Sequence, residues 1–364
     1  VLVGSWSRRV RQAVTEHLNE VMMATAALGV SLQYSHSIGR GEFSGPGFRN
    51  PVAMARGADD SMYVVNRSYE YRPDGKRITI CTVDEEYIGE FARGVHTAGV
   101  TDIVTEDGSL IWPTSVALDQ AGNVYVADEW LNRISIFTKD GEWVGKWGTE
   151  GAGDGKIKSP SGMVFDAADN LLLVDSQNNR VQKFTKDGEF ISSFGSQGSG
   201  DGQFNLPWGI DVDGEDNIYV ADWRNDRIQK FTKDGAFLMA FGSSGNEPGE
   251  FNRPTGVAVD RTGMIYVADW GNDRMQMFDP AGKFVTLTTG DGTISKWGKD
   301  KLDANGEMWK EREIAQGIER EKDFWGPVAV TVDDQDRVFV VESCRNRIQV
   351  YRRQEPIFKG GGRL

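Results

Sequence analysis

Short segments of alternating hydrophobic and polar residues run through most of the chain, and turn residues separate them. In residues 210–241 the hydrophobic residues recur at every second position in four successive segments, which begin at Ile210, Ile218, Ile228 and Phe237. A period of two is the pattern of β-strands with one buried face. Asp-Gly pairs, which favour tight hairpins, join the third and fourth segments at Asp140-Gly141, Asp187-Gly188 and Asp234-Gly235. The pattern therefore predicts groups of four antiparallel strands.

The four-strand group repeats along the chain with a fixed period. Pro113, Pro160, Pro207 and Pro254 each open a first strand, and successive prolines are 47 residues apart. Self-similarity at a period of 40 to 50 residues is typical of the blades of a β-propeller. We therefore expect one all-β domain rather than the two or three domains that the chain length would suggest.

The two ends of the repeat region complete each other. Residues 31–38 have the pattern of a fourth strand with no first three strands before it, whereas residues 328–351 supply three strands without a fourth. Five whole blades begin at Pro51, Pro113, Pro160, Pro207 and Pro254, and a sixth begins at Pro327. The count predicts a six-bladed propeller whose last blade takes its outer strand from the N-terminal side, which removes exposed sheet edges.

The repeat resembles the NHL family. Residues 254–276 read PTGVAVDRTGMIYVADWGNDRMQ and follow the family pattern almost letter by letter. The resemblance covers about residues 31–353 and is strongest in blades two to five. Blade one departs from it at Asn66 and Cys81, and blade six departs at Glu342. The resemblance implies a six-bladed propeller.

The sequence divides into a predicted helical arm at residues 1–30, the propeller at 31–353 and a tail at 354–364. Val10, Val14, Leu18 and Val21 lie on one side of the arm helix at residues 8–29, so this face must pack on the propeller or on another chain. An insertion at about 291–322 contains a predicted helix from Glu307 to Lys322, which is either a solvated excursion or a lid over the channel mouth.

Composition and charge narrow the classes of partner. The net charge of −13 opposes sequence-independent binding to nucleic acid, which depends on Lys and Arg. The apolar run from Val21 to Val30 is too short to span a bilayer.

Two cysteines, Cys81 and Cys344, leave the compartment open, with an extracytoplasmic or secreted location favoured. We expect Cys81 to fill the core, and no disulfide between the two.

In five of the six predicted blades the second strand ends in an acidic residue, and together these residues form a predicted ring. Each of these residues is followed five positions later by an arginine, which favours a structural ion pair in every blade. The alternative is a calcium site in the channel formed by the carboxylates, because calcium takes six to eight oxygen ligands. The acids are Asp128, Asp175, Asp222, Asp269 and Glu342, with Asn66 in blade one, and the arginines are Arg133, Arg180, Arg227, Arg274 and Arg347.

Six-bladed propellers that resemble this one include two groups of enzymes, the zinc-dependent peptide-amidating lyases and the calcium-dependent lactonases. The lyases need histidines that converge on the channel. Here His17, His36 and His96 fall in the arm helix, an outer strand and an insertion, so convergence is not expected. The lactonases use ligands that differ between blades, whereas this ring is nearly uniform.

One position that faces the channel mouth varies between blades. It follows the proline that opens each blade and includes hydroxyl and aromatic residues, and further tryptophans stand in the adjacent loops. Such groups suit a peptide, sugar or small ligand, although packing between blades is the alternative role. The candidate ligand-binding residues are Thr114, Ser161, Trp208, Thr255, Trp130, Trp223 and Trp270.

The sequence has no recognisable set of catalytic residues. It therefore favours a binding or assembly module without catalysis. The expected partner is a protein or a second copy of the chain, bound through the propeller face and the arm helix, with no cofactor. The alternative function is a calcium-dependent lactonase-like or lyase-like enzyme that acts at the channel. Nucleic acid is disfavoured by the net charge of −13.

Overall fold

The chain folds into a six-bladed β-propeller, as predicted. The computed structural model describes residues 30–69, 73–93 and 107–354. It contains six four-stranded antiparallel sheets, and the first strands of all six line one central channel. The predicted arm helix at residues 8–29 and most of the predicted tail lie outside the described residues. Within the described ranges, no helix is long and apolar enough to cross a membrane.

The strands follow the predicted period, and each blade is listed from its innermost to its outermost strand. Blades one to three comprise Pro51–Arg56, Ser61–Asn66, Arg77–Thr82 and Tyr87–Phe91; Pro113–Leu118, Val124–Asp128, Arg133–Phe137 and Trp143–Trp147; and Pro160–Phe165, Asn170–Asp175, Arg180–Thr185 and Phe190–Phe194. Blades four to six comprise Ile210–Val212, Ile218–Asp222, Arg227–Phe231 and Phe237–Phe241; Pro254–Val259, Ile265–Asp269, Arg274–Phe278 and Phe284–Thr288; and Pro327–Val332, Arg337–Glu342, Arg347–Gln354 and Ser31–Ile38. Two-residue strands Ser196–Gln197 and Gln203–Phe204 pair in a connection between blades.

Blade six is closed by the strand from the N-terminal side. Ser31–Ile38 pairs antiparallel with Arg347–Gln354, from Ser31 opposite Gln354 to Ile38 opposite Ile348. Ile38 and Ile348 are both fully buried in one hydrophobic cluster with Cys81. The predicted pairing of the chain ends is therefore present, and Cys81 fills core as expected. Cys81 and Cys344 are both free thiols.

Neighbouring blades are joined at one end of the channel by a repeated side-chain contact. After the second strand, an Asn or Asp adopts a positive φ, and its Oδ1 accepts a hydrogen bond from the backbone N–H that precedes the next blade. In blade three, Asn179 has a φ of 54° and accepts from Leu206 at 2.8 Å. The other pairs are Asn132 with Ser159, Asp226 with Arg253, Asp273 with Gly326, and Asn346 with Asn50.

Aromatic side chains fill the space between the outer parts of the blades. Phe231, in the third strand of blade four, packs against Phe194 of blade three with ring centroids 4.8 Å apart. The hairpin residue Gly235 has a φ of 83°, and a Cβ there would lie 2.6 Å from the Phe194 ring. Only glycine suits both the turn and this close approach. The Asp-Gly hairpins therefore fix the spacing of the blades as well as the chain reversal.

The insertion before blade six differs from the single helix that we predicted. It forms helix α1, Lys296–Asp303, helix α2, Gly306–Ile314, and the 3₁₀ turn Ile318–Lys322. The helix cannot run from Glu307 to Lys322 because Ala315 is extended and Gly317 is left-handed. Ile314, the last residue of α2, is 81% exposed. The two channel cavities are lined by first-strand residues together with Trp208 and Gly209, and no residue of the insertion is among their lining residues.

Candidate functional site

The ends of the channel are formed by different loops. Loops between the second and third strands of each blade, and those between one blade and the next, lie together at one end, which we call the top face. Trp223–Asp226 and Trp270–Asp273 are top loops of blades four and five. The loops between first and second strands form the opposite end. The predicted ligand residues and acidic ring both belong to the top half.

Asp222 shows how the acidic ring is used. Its Oδ1 accepts a hydrogen bond from Asn205 N at 2.8 Å, and its Oδ2 accepts from Arg227 Nε at 2.9 Å. The side-chain amides of Asn225 and Gln229 donate to the same Oδ2. The carboxylate is fully buried and bonded on both oxygens, so it anchors the loop that enters the blade to the loop that leaves the second strand.

The same network recurs in blades three and five. Asp175 accepts from Lys158 N at 2.6 Å and Arg180 Nε at 2.8 Å, and Asp269 accepts from Asn252 N at 2.8 Å and Arg274 Nε at 2.7 Å. Burial raises the pKa of Asp222 and Asp269 above the ordinary Asp range, although the surrounding donors act in the opposite direction. The contacts support the predicted structural role of these pairs.

The other three blades vary the same contact. Glu342 accepts from Arg347 Nε at 2.5 Å and from Trp325 N at 3.1 Å. Asp128 accepts from four backbone N–H groups, and Arg133 donates to the Ser109 carbonyl at 2.8 Å, so the pairing expected in blade two takes another form. In blade one, Asn66 accepts from Arg49 N at 2.8 Å without a charge.

The hydrogen bonds of the ring carboxylates are relevant to the alternative prediction, a calcium site in the channel. Each carboxylate of the ring accepts hydrogen bonds within its own blade, and the ring does not converge on a common point. Within the described ranges, no group of three or more His, Cys, Asp or Glu side chains is arranged to hold a metal ion. His36, on the outer strand of blade six, makes its ring contacts with Ser35 and the Val83 carbonyl. His17 and His96 lie outside the described residues.

The hydroxyl residues predicted to face a ligand are used between blades instead. Thr114 Oγ1 donates to the Pro160 carbonyl at 2.9 Å, and Ser161 Oγ donates to the Trp208 carbonyl at 2.9 Å. Thr255 reaches the Pro327 carbonyl in the same way at 3.4 Å. All three side chains are buried, because the first strands approach each other closely round the channel. Trp208 is half-buried and lines the channel.

Three of the predicted tryptophans lie on the top face, with guanidinium groups beside several aromatic rings there. Trp130 is 60% exposed and Trp270 is 37% exposed. Trp223 lies between two exposed arginines, with Arg224 at 5.4 Å and Arg253 at 5.2 Å from its ring centroid. Each arginine is thus held by a cation–π contact. Further round the mouth, Arg67 lies 4.4 Å from the Trp112 ring and pairs with Glu129.

One residue that lines the channel, Asp211, was not predicted from the sequence. Asp211, in the first strand of blade four, lines a channel cavity of about 260 Å³ whose other walls are mainly apolar. Its Oδ2 accepts from Val259 N of blade five at 2.8 Å. Burial raises the pKa of Asp211 to about 7. Alignment of the repeats would have found it, because the equivalent residues are Ala55, Ala117, Val164, Ala258 and Thr331.

Comparisons with known proteins agree with the geometry. A family model described as 6-bladed beta-propeller matches residues 156–228 and 213–325, and the NHL repeat model matches residues 324–351. No curated protein sequence matches the chain.

Solved structures of low sequence identity share the fold. A protein of unknown function from Bacteroides thetaiotaomicron has a TM-score of 0.58 and 18% identity, with 89% of this chain and 76% of that chain covered. Streptogramin B lyase has a TM-score of 0.54 and 12% identity, covering 89% and 98%. Virginiamycin B lyase from Staphylococcus aureus with quinupristin has a TM-score of 0.53 and 14% identity, covering 89% and 99%. These likenesses show the fold alone. The two family models together match residues 156–351, so the chain is a six-bladed β-propeller whose residues 324–351 match the NHL repeat.

Proposed function

We propose that this propeller is a non-catalytic binding module that holds an acidic segment of a protein partner on its top face. The observation that carries the proposal is the group formed by Trp223, Arg224 and Arg253, with Trp270 exposed on the neighbouring blade five and Trp130 exposed on blade two. Tryptophan and arginine are the residue types that contribute most to protein–protein affinity. Here the arginines stack on a tryptophan and are thereby oriented before a partner arrives.

The distribution of hydrogen bonds supports binding rather than catalysis. The ring carboxylates serve as anchors inside each blade, and the channel hydroxyls serve as links between blades. The polar groups exposed on the top face include the guanidinium groups of Arg224 and Arg253, and guanidinium groups bind carboxylates through paired N–H donors. A partner segment with Asp or Glu beside an apolar residue would match both the arginines and the exposed rings.

A peptide-display selection tests this proposal. A random peptide library is selected on the intact chain, and enriched peptides are measured by calorimetry. We expect acidic residues next to aromatic or aliphatic ones in the enriched peptides. Trp223→Ala should weaken binding by about tenfold or more, since loss of such a residue costs over ~1.4 kcal/mol.

The matched control is Leu238→Ala. Leu238 is 48% exposed on the outermost strand of the same blade, away from the top face. Its truncation removes exposed apolar surface from blade four without touching the Trp223 group, so peptide affinity should not change. Selected peptides without acidic residues, or equal loss of affinity in both variants, would contradict the proposal.

A further inference from the structure

A second recess lies at the top loops of blade six, and its lining includes neither the first-strand residues of the channel nor Trp223, Arg224 and Arg253. It is a cleft of about 420 Å³ between the helical insertion on one side and residues 39–41 with Cys344 and Arg345 on the other. We call it the basic cleft. Neither the repeat pattern nor the top-face tryptophan group accounts for it. Its walls come from three distant parts of the chain, and the insertion that forms one wall is the largest departure from the 47-residue period.

The helical wall of the cleft is firmly attached to the propeller. Trp297 of α1 is buried against Phe48, with ring centroids 5.8 Å apart. Ser295 Oγ accepts from Gly298 N at the start of α1 and donates to the Gly39 carbonyl at 2.7 Å. Glu85 of blade one, itself buried, accepts from Gly39 N at 2.6 Å and from Trp297 N at 3.3 Å. The cleft is therefore built by buried contacts and is not a gap beside a loosely attached insertion.

The cleft carries positive charge in an acidic protein. Five basic side chains line it: Arg40, Lys301, Arg312, Arg345 and Arg347. They pair with three carboxylates, because Glu42 is shared by Arg40 and Lys301, Glu321 pairs with Arg312, and Glu342 pairs with Arg347. The lining of the cleft thus includes five basic side chains and one acidic side chain, Glu321, in a chain whose net charge is −13.

Arg345 supplies much of the charge that remains. Its Nε donates to the Asp323 carbonyl at 3.0 Å, and its Nη2 donates to the Arg320 carbonyl at 2.5 Å. Among the described residues, the one carboxylate within 4 Å is that of Glu342, at 3.9 Å. Glu342 is already bonded to Arg347 and Gln349. Neutral carbonyl groups thus hold the Arg345 guanidinium in place without cancelling its charge.

Apolar side chains line the rest of the cleft. Ile294 is 37% exposed and Trp325 is 57% exposed, and Leu302 and Met308 of the helices contribute further apolar surface. A ligand that fits would place an oxyanion near Arg345 and Lys301 and an apolar chain against these residues. A charged group beside apolar walls is the usual composition of a small-molecule site.

We infer that the basic cleft binds a small amphipathic anion, a carboxylate or phosphate carried on a short apolar chain. This site is separate from the top-face group of the proposed function. Cys344 lines the cleft as an exposed thiol, whereas Cys81 is fully buried. In the folded chain, Cys344 is therefore the thiol that a reagent can reach, and it reports directly on whether the cleft is occupied.

The test measures the rate at which N-ethylmaleimide labels Cys344 in the intact chain, at mildly alkaline pH because burial raises the pKa of this thiol. The probes are octanoate, octyl phosphate, octylammonium and inorganic phosphate. At ten times its dissociation constant, octanoate or octyl phosphate should slow labelling about tenfold, because about one site in eleven is then empty. The stronger of the two identifies the preferred head group. Octylammonium and inorganic phosphate should give little protection.

Variants separate the cleft from other sites. Lys301→Gln and Arg345→Gln should each weaken octanoate binding several-fold or more by calorimetry, since each removes a charge-assisted contact. Lys301 is 45% exposed, so its variant folds even if loss of the Arg345 contacts disturbs the loop. Arg253→Gln, on the top face outside the cleft, should leave octanoate affinity unchanged while it weakens the selected acidic peptides.

Three outcomes would overturn the inference. Equal protection by octylammonium would show that charge does not select the ligand, and equal protection by inorganic phosphate would show that the apolar walls contribute nothing. No protection by either octyl anion would show that the cleft does not bind this class. None of these outcomes bears on the top-face peptides, whose binding depends on Trp223 and Arg253.

Discussion

Asp211 should make the stability of the propeller fall as the pH rises, which is the reverse of the usual behaviour of a salt-bridged carboxylate. Its pKa is raised to about 7 in the folded chain, because burial in the channel outweighs the N–H donors of Val259 and Val212, and the Asp213 carboxylate adds to the effect. The unfolded chain has an ordinary Asp pKa of about 4. Between about pH 4 and 7 the folded state therefore holds a proton that the unfolded state has released, and stability declines through this window.

The expected change in the free energy of unfolding follows from the size of the Asp211 pKa shift. Three pKa units at about 1.4 kcal/mol each give an upper bound of about 4 kcal/mol. The carboxyl is only partly shielded from solvent that enters the channel, so we expect about 1–2 kcal/mol after this discount. Asp211→Asn keeps the shape and an acceptor for Val259 N but does not ionise. The variant should thus be more stable than the original chain by that amount at about pH 8, and the difference should shrink towards zero as the pH falls below about 4.

Urea unfolding followed by tryptophan fluorescence at several pH values measures the difference. Asp213→Asn, two residues away, is the matched control with the opposite sign. Hydrogen bonds from Asn217, together with Lys230, lower the pKa of Asp213 even though burial acts the other way. Asp213 therefore adds stability above its unfolded pKa, and this contribution is lost as the pH falls. If the Asp211→Asn difference were the same at every pH, the carboxyl would not be titrating in the channel as we infer.

The remaining predictions concern closure, the acidic ring and the arm. Deleting residues 1–40 removes the outer strand of blade six and should lower the melting temperature; an unchanged value would contradict closure by this strand. Asp222→Ala leaves the Arg227 network without its acceptor and should cost about 1–3 kcal/mol in urea unfolding, whereas tight calcium binding lost in this variant would overturn the structural role. If the arm at residues 8–29 meets another chain, light scattering should give a larger mass for the intact protein than for a Val14→Asp, Leu18→Asp variant; a monomer in both cases, with equal stability, would exclude association through the arm.

The fold could be predicted because the physical signals repeat. The period of 47 residues fixed the blade count, and the incomplete patterns at residues 31–38 and 328–351 predicted how the sixth blade closes. The insertion had no repeat to align with, so helix-forming residues from Glu307 to Lys322 suggested one helix. The backbone breaks at Ala315 and Gly317, and the wall of the cleft begins earlier, at α1.

The candidate site was harder to predict than the fold, because contacts across blades decide what each side chain does. Thr114, Ser161 and Thr255 have the composition of a ligand-binding ring, yet their hydroxyls bond to carbonyls of the next blade. The basic cleft had no local sequence signature, since Arg40, Lys301 and Arg345 are brought together only by the fold. Asp211 was visible in the sequence, but only after the six first strands are aligned.

Charge is distributed unevenly over the two ends of the propeller, and this limits what a net charge can say about partners. The cavity at the bottom end is lined by Asp59, Asp60, Asp119, Asp333 and Asp334, with Arg56 and Lys139 as its basic residues. The top face presents the stacked guanidinium groups of Arg224 and Arg253. An acidic partner of the proposed kind would be repelled by the bottom cavity and attracted by these arginines, and this difference would orient it before contact. Under this proposal, a net charge of −13 is compatible with an acidic partner, because the acidic residues of the bottom cavity and the arginines of the top face lie at opposite ends of the channel.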